Sequence, residues 1–137
     1  MCLGYISKEV ERRFGDKRFG WKVFKKDGNN KLHPPLMSVV KNYLPYNKWI
    51  HEKDFKPLGS IKPLGSKRAK KYITAYDFKY EVGWHICLTR EDARKWKGGN
   101  NLVIRKVKFR NPTAFGRQDG LSIVVAKEML IIKNSEG

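Results

Sequence analysis

Residues 81–110 read EVGWHICLTREDARKWKGGNNLVIRKVKFR, and this stretch decides the fold class. Val82, Trp84, Ile86 and Leu88 fall on every second position, the period of a strand with one apolar side. Thr89 stands where a helix N-cap would, because its hydroxyl can accept from an amide of the first turn. Glu91 and Asp92 follow, in the turn where the helix dipole favours anions. Glu91 and Lys95 are four apart, and Gly98-Gly99 ends the run. The spacing predicts a short helix over 89–97 that turns Ala93 and Trp96 to the core. Residues 102–110 alternate again. Val103, Val107 and Phe109 share one side, interrupted by Arg105, while Lys106, Lys108 and Arg110 line the other.

Working outward, Asn111-Pro112 reads as a break and residues 115–120 as a loop with a turn at Asp119-Gly120. Residues 121–126 and 129–132 are β-branched, with a bulge or kink expected at Lys127-Glu128 between them. Upstream, residues 19–25 (FGWKVFK) predict a strand closed by the turn Asp27-Gly28-Asn29-Asn30. Leu32 begins a second extended piece, stopped by Pro34-Pro35. Residues 36–44 read equally as helix or strand, and residues 46–50 (YNKWI) as a further strand. With 137 residues and 40% hydrophobic content, the chain has material for one ordinary core. The expectation is a single α+β domain over 1–137: a largely antiparallel sheet, one or two short helices, and a basic Gly/Pro/Lys loop at 53–71.

That loop contains a direct repeat, KPLGS at 56–60 and again at 62–66. Pro57 and Pro63 withhold ladder donors, and Gly59 and Gly65 permit turns. Two readings stand open: a mobile loop lengthened by local duplication, or a cationic arm that orders on a polyanion.

Charge is the strongest functional signal. Thirty Lys+Arg against 13 Asp+Glu give a formal net charge of +17. Such an excess repels itself, so a partner of opposite sign is the economical explanation. The excess is uneven: residues 53–72 carry seven cations and one anion, residues 90–110 eight and two, residues 111–137 three and three. Lys106, Lys108 and Arg110 would point together from one sheet face, ~6–7 Å apart, a spacing close to that of successive phosphates. Arg90, Arg94 and Lys97 form a stripe at i, i+4 and i+7 on the helix. Lys56, Lys62, Lys67, Arg68, Lys70 and Lys71 add the loop's cations. Trp49, Tyr72 and Tyr76, with Tyr80, are candidate platforms for stacking bases. A solvated edge strand would carry lysines too.

Other chemistries find little. His33, His51 and His85 are scattered, no CxxC or HExxH spacing exists, and no metal or cofactor is expected. Gly98-Gly99 lacks both the P-loop Lys-Ser/Thr and GxGxxG, and no GxSxG occurs. His85, beside Cys87 on one strand face, is the one candidate catalytic base, against a solvent-facing or hydrogen-bonded structural histidine. Cys2 and Cys87 read as reduced thiols of a cytoplasmic protein rather than as a bridge. No run nears the ~20 apolar residues of a membrane span, and residues 1–7 lack the pattern of a secretory signal.

The order Gly83-Trp84-His85-Ile86, a helix begun by Glu91-Asp92-Ala93, the strand of residues 103–109 and a closing VVAKEM at 124–129 resembles a small domain of phage and prophage proteins of unknown function. Residues 21–24 and Trp49 echo that family's opening half, while the KPLGS segment departs from it. The resemblance implies an α+β fold, a phage-encoded origin and the host cytoplasm, and it carries no catalytic residues to transfer. Together with the charge, it leads to a non-catalytic binder of a polyanion. This would be an accessory or anti-defence protein acting on nucleic acid or a nucleic-acid-bound host complex such as a CRISPR nuclease. Two alternatives remain: a small basic enzyme of nucleotides or RNA (ribonuclease or ADP-ribosyltransferase-like), and a sponge for a nucleotide messenger.

Overall fold

The computed structural model describes residues 3, 5–33, 43–51, 72–75, 78–81, 83–98 and 102–136. In chain order its elements are β1 (Tyr5–Ile6), α1 (Lys8–Phe14), β2 (Phe19–Lys26), β3 (Leu32–His33), β4 (Trp49–His51), β5 (Tyr72–Ala75), β6 (Phe78–Glu81), β7 (Trp84–Cys87), α2 (Arg90–Trp96), β8 (Leu102–Gln118) and β9 (Leu121–Glu136). The architecture is a mostly antiparallel sheet with two short helices.

The long β8–β9 hairpin organises everything else. Asp119 and Gly120 both take positive φ, 49° and 81°, so a two-residue turn of the twist that hairpins favour joins Gln118 to Leu121. β2 lies against β8 from Phe19↔Lys108 to Lys25↔Leu102, and β7 lies against β9 from Trp84↔Ala126 to Cys87↔Ile123. β7 in turn meets β2 at the Trp21↔Cys87 rung, so the pairing β2–β8–β9–β7 closes on itself. Closure depends on Gly20, where an added Cβ would stand 2.6 Å from both the Cys87 carbonyl oxygen and Ile86 Cγ2. Only glycine lets the strands approach that closely. The short strands β1, β3 and β4 extend β8, β2 and β9, while β5 and β6 form a separate two-stranded pair.

Each face of the sheet buries its own cluster. One holds Phe24, Ile86, Trp84, Val107, Phe109, Phe115, Val124 and Met129, with Val10 and Phe14 of α1 packed on it. The other holds Val23, Cys87, Ile104, Ile123 and Val125 under Ala93 and Trp96 of α2. Trp84 Nε1 donates to the Ile50 carbonyl at 3.1 Å, tying β4 to the first cluster. Burial of the aromatics contributes most per residue, and Phe24→Ala would cost about 3–5 kcal/mol.

The helix expected over 89–97 forms as α2, with Thr89 Oγ1 accepting from the Asp92 amide at 3.1 Å. Other expectations are corrected. The strand read over 81–88 is β7, Trp84–Cys87, with Glu81 ending β6, and β7 is buried on both sides rather than half-exposed. Asn111-Pro112 does not break its strand. β8 runs on to Gln118 because Asn111 accepts φ 57° and Pro112 sits at a register shift, where a missing N–H is tolerated. Phe115 is therefore paired with Val124 and buried instead of lying in a loop. β9 stays continuous through Lys127-Glu128, and the register offset falls opposite, between Pro112 and Ala114. The kink survives as a change of parity: Val124 and Ala126 face the first cluster before it, Met129 and Ile131 after it. The strand placed at 46–50 is β4, shifted to Trp49–His51, with Tyr46 making only an isolated bridge to Ile131.

Helix α1 was not anticipated. Its signals are nonetheless local: Ser7 Oγ accepts from the Val10 amide at 3.2 Å, Glu9 and Glu11 occupy the first turn, and Arg12 and Arg13 the last. The repeat-bearing loop at 53–71 lies outside the described residues. Among the described residues, no helix is long and apolar enough to cross a membrane.

Candidate nucleic-acid interface

Strand alternation puts Phe19 and Trp21 of β2 on the same face as Lys106 and Lys108 of β8, because Phe19 pairs with Lys108 and Trp21 with Lys106. Phe19 is 40% exposed, high for a phenylalanine. Cations surround both rings. Lys106 Nζ lies 4.2 Å from the centre of the Phe19 ring and 5.9 Å from that of Trp21. Arg90 comes from the first turn of α2 to stand 5.5 Å from the Trp21 ring, and Lys17 stands 5.5 Å from Phe19. Lys17 also donates to the Leu88 carbonyl at 2.7 Å, which holds the start of β2 against the end of β7. Arg90 thus joins the helix to the strands, and Arg94 and Lys97 continue the exposed cationic stripe along α2.

Further along the same face Arg110 is differently employed. Its guanidinium donates to Glu128 Oε2 at 2.7 Å and lies 4.0 Å over the Trp49 ring. Asn111 Nδ2 donates to the other carboxylate oxygen at 2.8 Å. These bonds hold the Glu128 carboxyl below its ordinary range and push the Arg110 guanidinium up. Among the expected site residues, Lys106, Lys108 and Arg90 therefore come together with Arg94 and Lys97 beside them. Arg110 and Trp49 form a neighbouring stacked pair. Lys56, Lys62, Lys67, Arg68, Lys70, Lys71 and Tyr76 lie outside the described residues. Tyr72 is placed by its backbone in β5. Phe19, Trp21 and Lys17 were missed, although the i, i+2 spacing of Phe19 and Trp21 in FGWKVFK is visible in the sequence.

On the next rung, whose side chains face the opposite side, the chemistry differs. Lys22 and Arg105 are directly paired across β2 and β8, and both are buried. Lys22 Nζ donates to the His85 carbonyl at 2.6 Å, and Arg105 Nη1 to the Ile104 carbonyl at 3.0 Å. Burial lowers the Lys22 pKa to about 8. His85 is buried rather than solvent-facing. Its pKa is pushed down to about 3, by burial first and then by the Lys22 charge, while a hydrogen bond with the Gly83 backbone acts the other way. The Cys87 thiol, free and buried, is pushed up to about 12. At neutral pH the two are a neutral imidazole and a protonated thiol, not a thiolate–imidazolium pair. No group of three or more His, Cys, Asp or Glu residues that could hold a metal occurs among the described residues.

Comparison with known proteins adds no relative: no family model, curated protein or solved structure matches this chain.

Proposed function

We propose that this chain is a non-catalytic binder of a polyanion, with nucleic acid as the ligand of the β2–β8–α2 face. The observation that carries this reading is the exposed Phe19 ring with Lys106 Nζ 4.2 Å above it and Lys108 on the neighbouring rung. A single strand needs two things from a surface: cations spaced for phosphates, and ring faces on which bases stack without regard to sequence. This face supplies both on two adjacent strands, and Arg90, Arg94 and Lys97 prolong the charge beyond it. The net charge of +17 raises the encounter rate with any such ligand. The phage-domain resemblance supports a biological setting for it, an accessory or anti-defence protein that engages nucleic acid or a host complex built on it.

The test is a salt titration with a fluorescent single-stranded oligonucleotide. Affinity should fall linearly in log–log form, with a slope of about −0.7 for each phosphate neutralised. Lys106→Glu together with Lys108→Glu should weaken binding by at least ~100-fold while the protein still melts cooperatively, since outward-facing strand positions tolerate polar exchange. Binding that ignores salt, or that survives the double reversal, would falsify the assignment of this face.

A further inference from the structure

A basin of about 840 Å³ opens on the other side of the sheet, between the 27–31 turn, residues 43–46 and the end of β9. Its volume falls inside the range of ~300–1,000 Å³ typical of small-molecule sites. Lys26, Lys31, Arg105 and Lys133 supply four cations to its lining, and the described lining contains no carboxylate. These four come from β2, the turn, β8 and β9, so only the folded register assembles them. Lys31 and Lys133 stand exposed, whereas Arg105 is 6% exposed, a cation set deep beneath the others. Tyr43 and Tyr46 also line it, Tyr43 half-exposed at 50% even with Lys31 Nζ 4.5 Å over its ring.

The turn that forms one wall is firmly built. Asp27 Oδ1 accepts from the Asn29 and Lys31 amides at 2.8 and 2.9 Å, and Asp27 Oδ2 lies 2.6 Å from His33 Nε2. Asp27 is thus committed to its own turn, and its carboxyl is held below the ordinary range mainly by the His33 contact. Its acceptors serve the wall, and the exposed Lys31 and Lys133 present their charge at the mouth of the basin to a ligand that brings negative charge of its own. Convergent cations suit phosphate oxygens, and Tyr43, the more exposed of the two lining tyrosines, suits an aromatic base.

We propose that this basin binds a nucleoside phosphate of about one nucleotide, the phosphate between Lys31 and Lys133 and the base against Tyr43. This site is separate from the oligonucleotide face, because Arg105 and Lys106 are consecutive residues of one strand and point to opposite sides. It therefore stands or falls without that face.

Titration calorimetry with AMP, ribose 5-phosphate and inorganic phosphate at low salt tests it. AMP should bind about 10-fold more tightly than ribose 5-phosphate, the share expected of one stacked base. Tyr43→Ala should bring AMP down to the ribose 5-phosphate level. Lys31→Ala with Lys133→Ala should weaken AMP at least ~10-fold, through lost charge-assisted bonds. Lys8→Ala with Arg12→Ala removes the same charge from exposed positions of α1 and should leave AMP affinity unchanged. Equal affinity for AMP and inorganic phosphate, equal losses in both double variants, or no AMP binding at all would overturn the proposal.

Discussion

Two neighbouring rungs of the β2–β8 ladder put the same chemistry to opposite ends. On the Trp21–Lys106 rung a lysine lies over an aromatic surface at the edge of solvent. One residue along, on the Lys22–Arg105 rung, two like charges face each other in the interior. Like charges directly opposite on a sheet are destabilising, and burial adds the cost of desolvation. The protein answers with backbone carbonyls from His85 and Ile104, with Glu136 opposite Arg105 on β9, and with a Lys22 ammonium much readier than usual to lose its proton. Charge counted along a sequence therefore divides into two kinds. Some of it reaches solvent, and some must be accommodated by the fold.

The rung beyond Trp21 should break this arrangement most severely. Gly20 pairs with Val107, and its bare Cα lets β7 seal the interior against β2. Gly20→Ala should cost about 3 kcal/mol, the upper end of an overpacking penalty, because the obstacle is backbone. Chemical denaturation reads it directly. A variant as stable as the parent would mean that closure at the Trp21–Cys87 rung is not what isolates Lys22 from water.

The interior rung itself should give a smaller effect of opposite sign. The folded pKa of Lys22, about 8, lies below its ordinary 10.5, so in that window the unfolded chain holds more protons. Stability from this site accordingly rises with pH between 8 and 10.5, and below pH 8 the site costs about 3 kcal/mol. Lys22→Met removes that cost and forfeits one hydrogen bond worth about 1 kcal/mol. The variant should be more stable than the parent by about 2 kcal/mol at pH 7, the gap closing as pH approaches 10.5. Its oligonucleotide affinity should match the parent's. A less stable variant at pH 7, or one with altered binding, would erase the distinction between the two rungs.

The smallest effect belongs to the exposed pair at the far end of the face. Glu128→Gln removes the carboxylate that engages Arg110. An exposed ion pair of this kind adds little to stability, so the melting temperature should barely move. Oligonucleotide affinity should rise a few-fold as one anion leaves the face. A fall in affinity would show that the Arg110–Trp49 stack needs Glu128 to position it for the ligand.

Sequence reading found what local rules specify. Thr89, Glu91 and Asp92 announce α2, and the alternation of residues 102–110 sorts Lys106 from Arg105 by parity alone. It did not reveal how deeply Arg105 is buried, because that depends on β2 lying alongside. Helix α1 escaped although Ser7, Glu9 and Glu11 carry the usual start signals, since only seven residues sustain it. Pro112 misled for a different reason: a proline ends a strand only where its missing N–H is needed, and at a register shift it is not. The basin had no local signature at all. Lys31, Tyr43, Arg105 and Lys133 share no period and no motif, and only strand register unites them.

The Asp119-Gly120 turn also has a consequence in time. Its hairpin joins neighbours in sequence, so it closes on the scale of ~1–10 μs with little loop entropy to overcome. The Trp21–Cys87 rung must instead bring together residues far apart in the chain. Contacts of that separation form slowly and late. On a ribosome β2 is made long before β8, and the ladder from Phe19 to Lys25 waits for its long partner until β8 has emerged. The expected order of folding therefore runs against the order of synthesis: β8 and β9 form the template on which the earlier β2 settles.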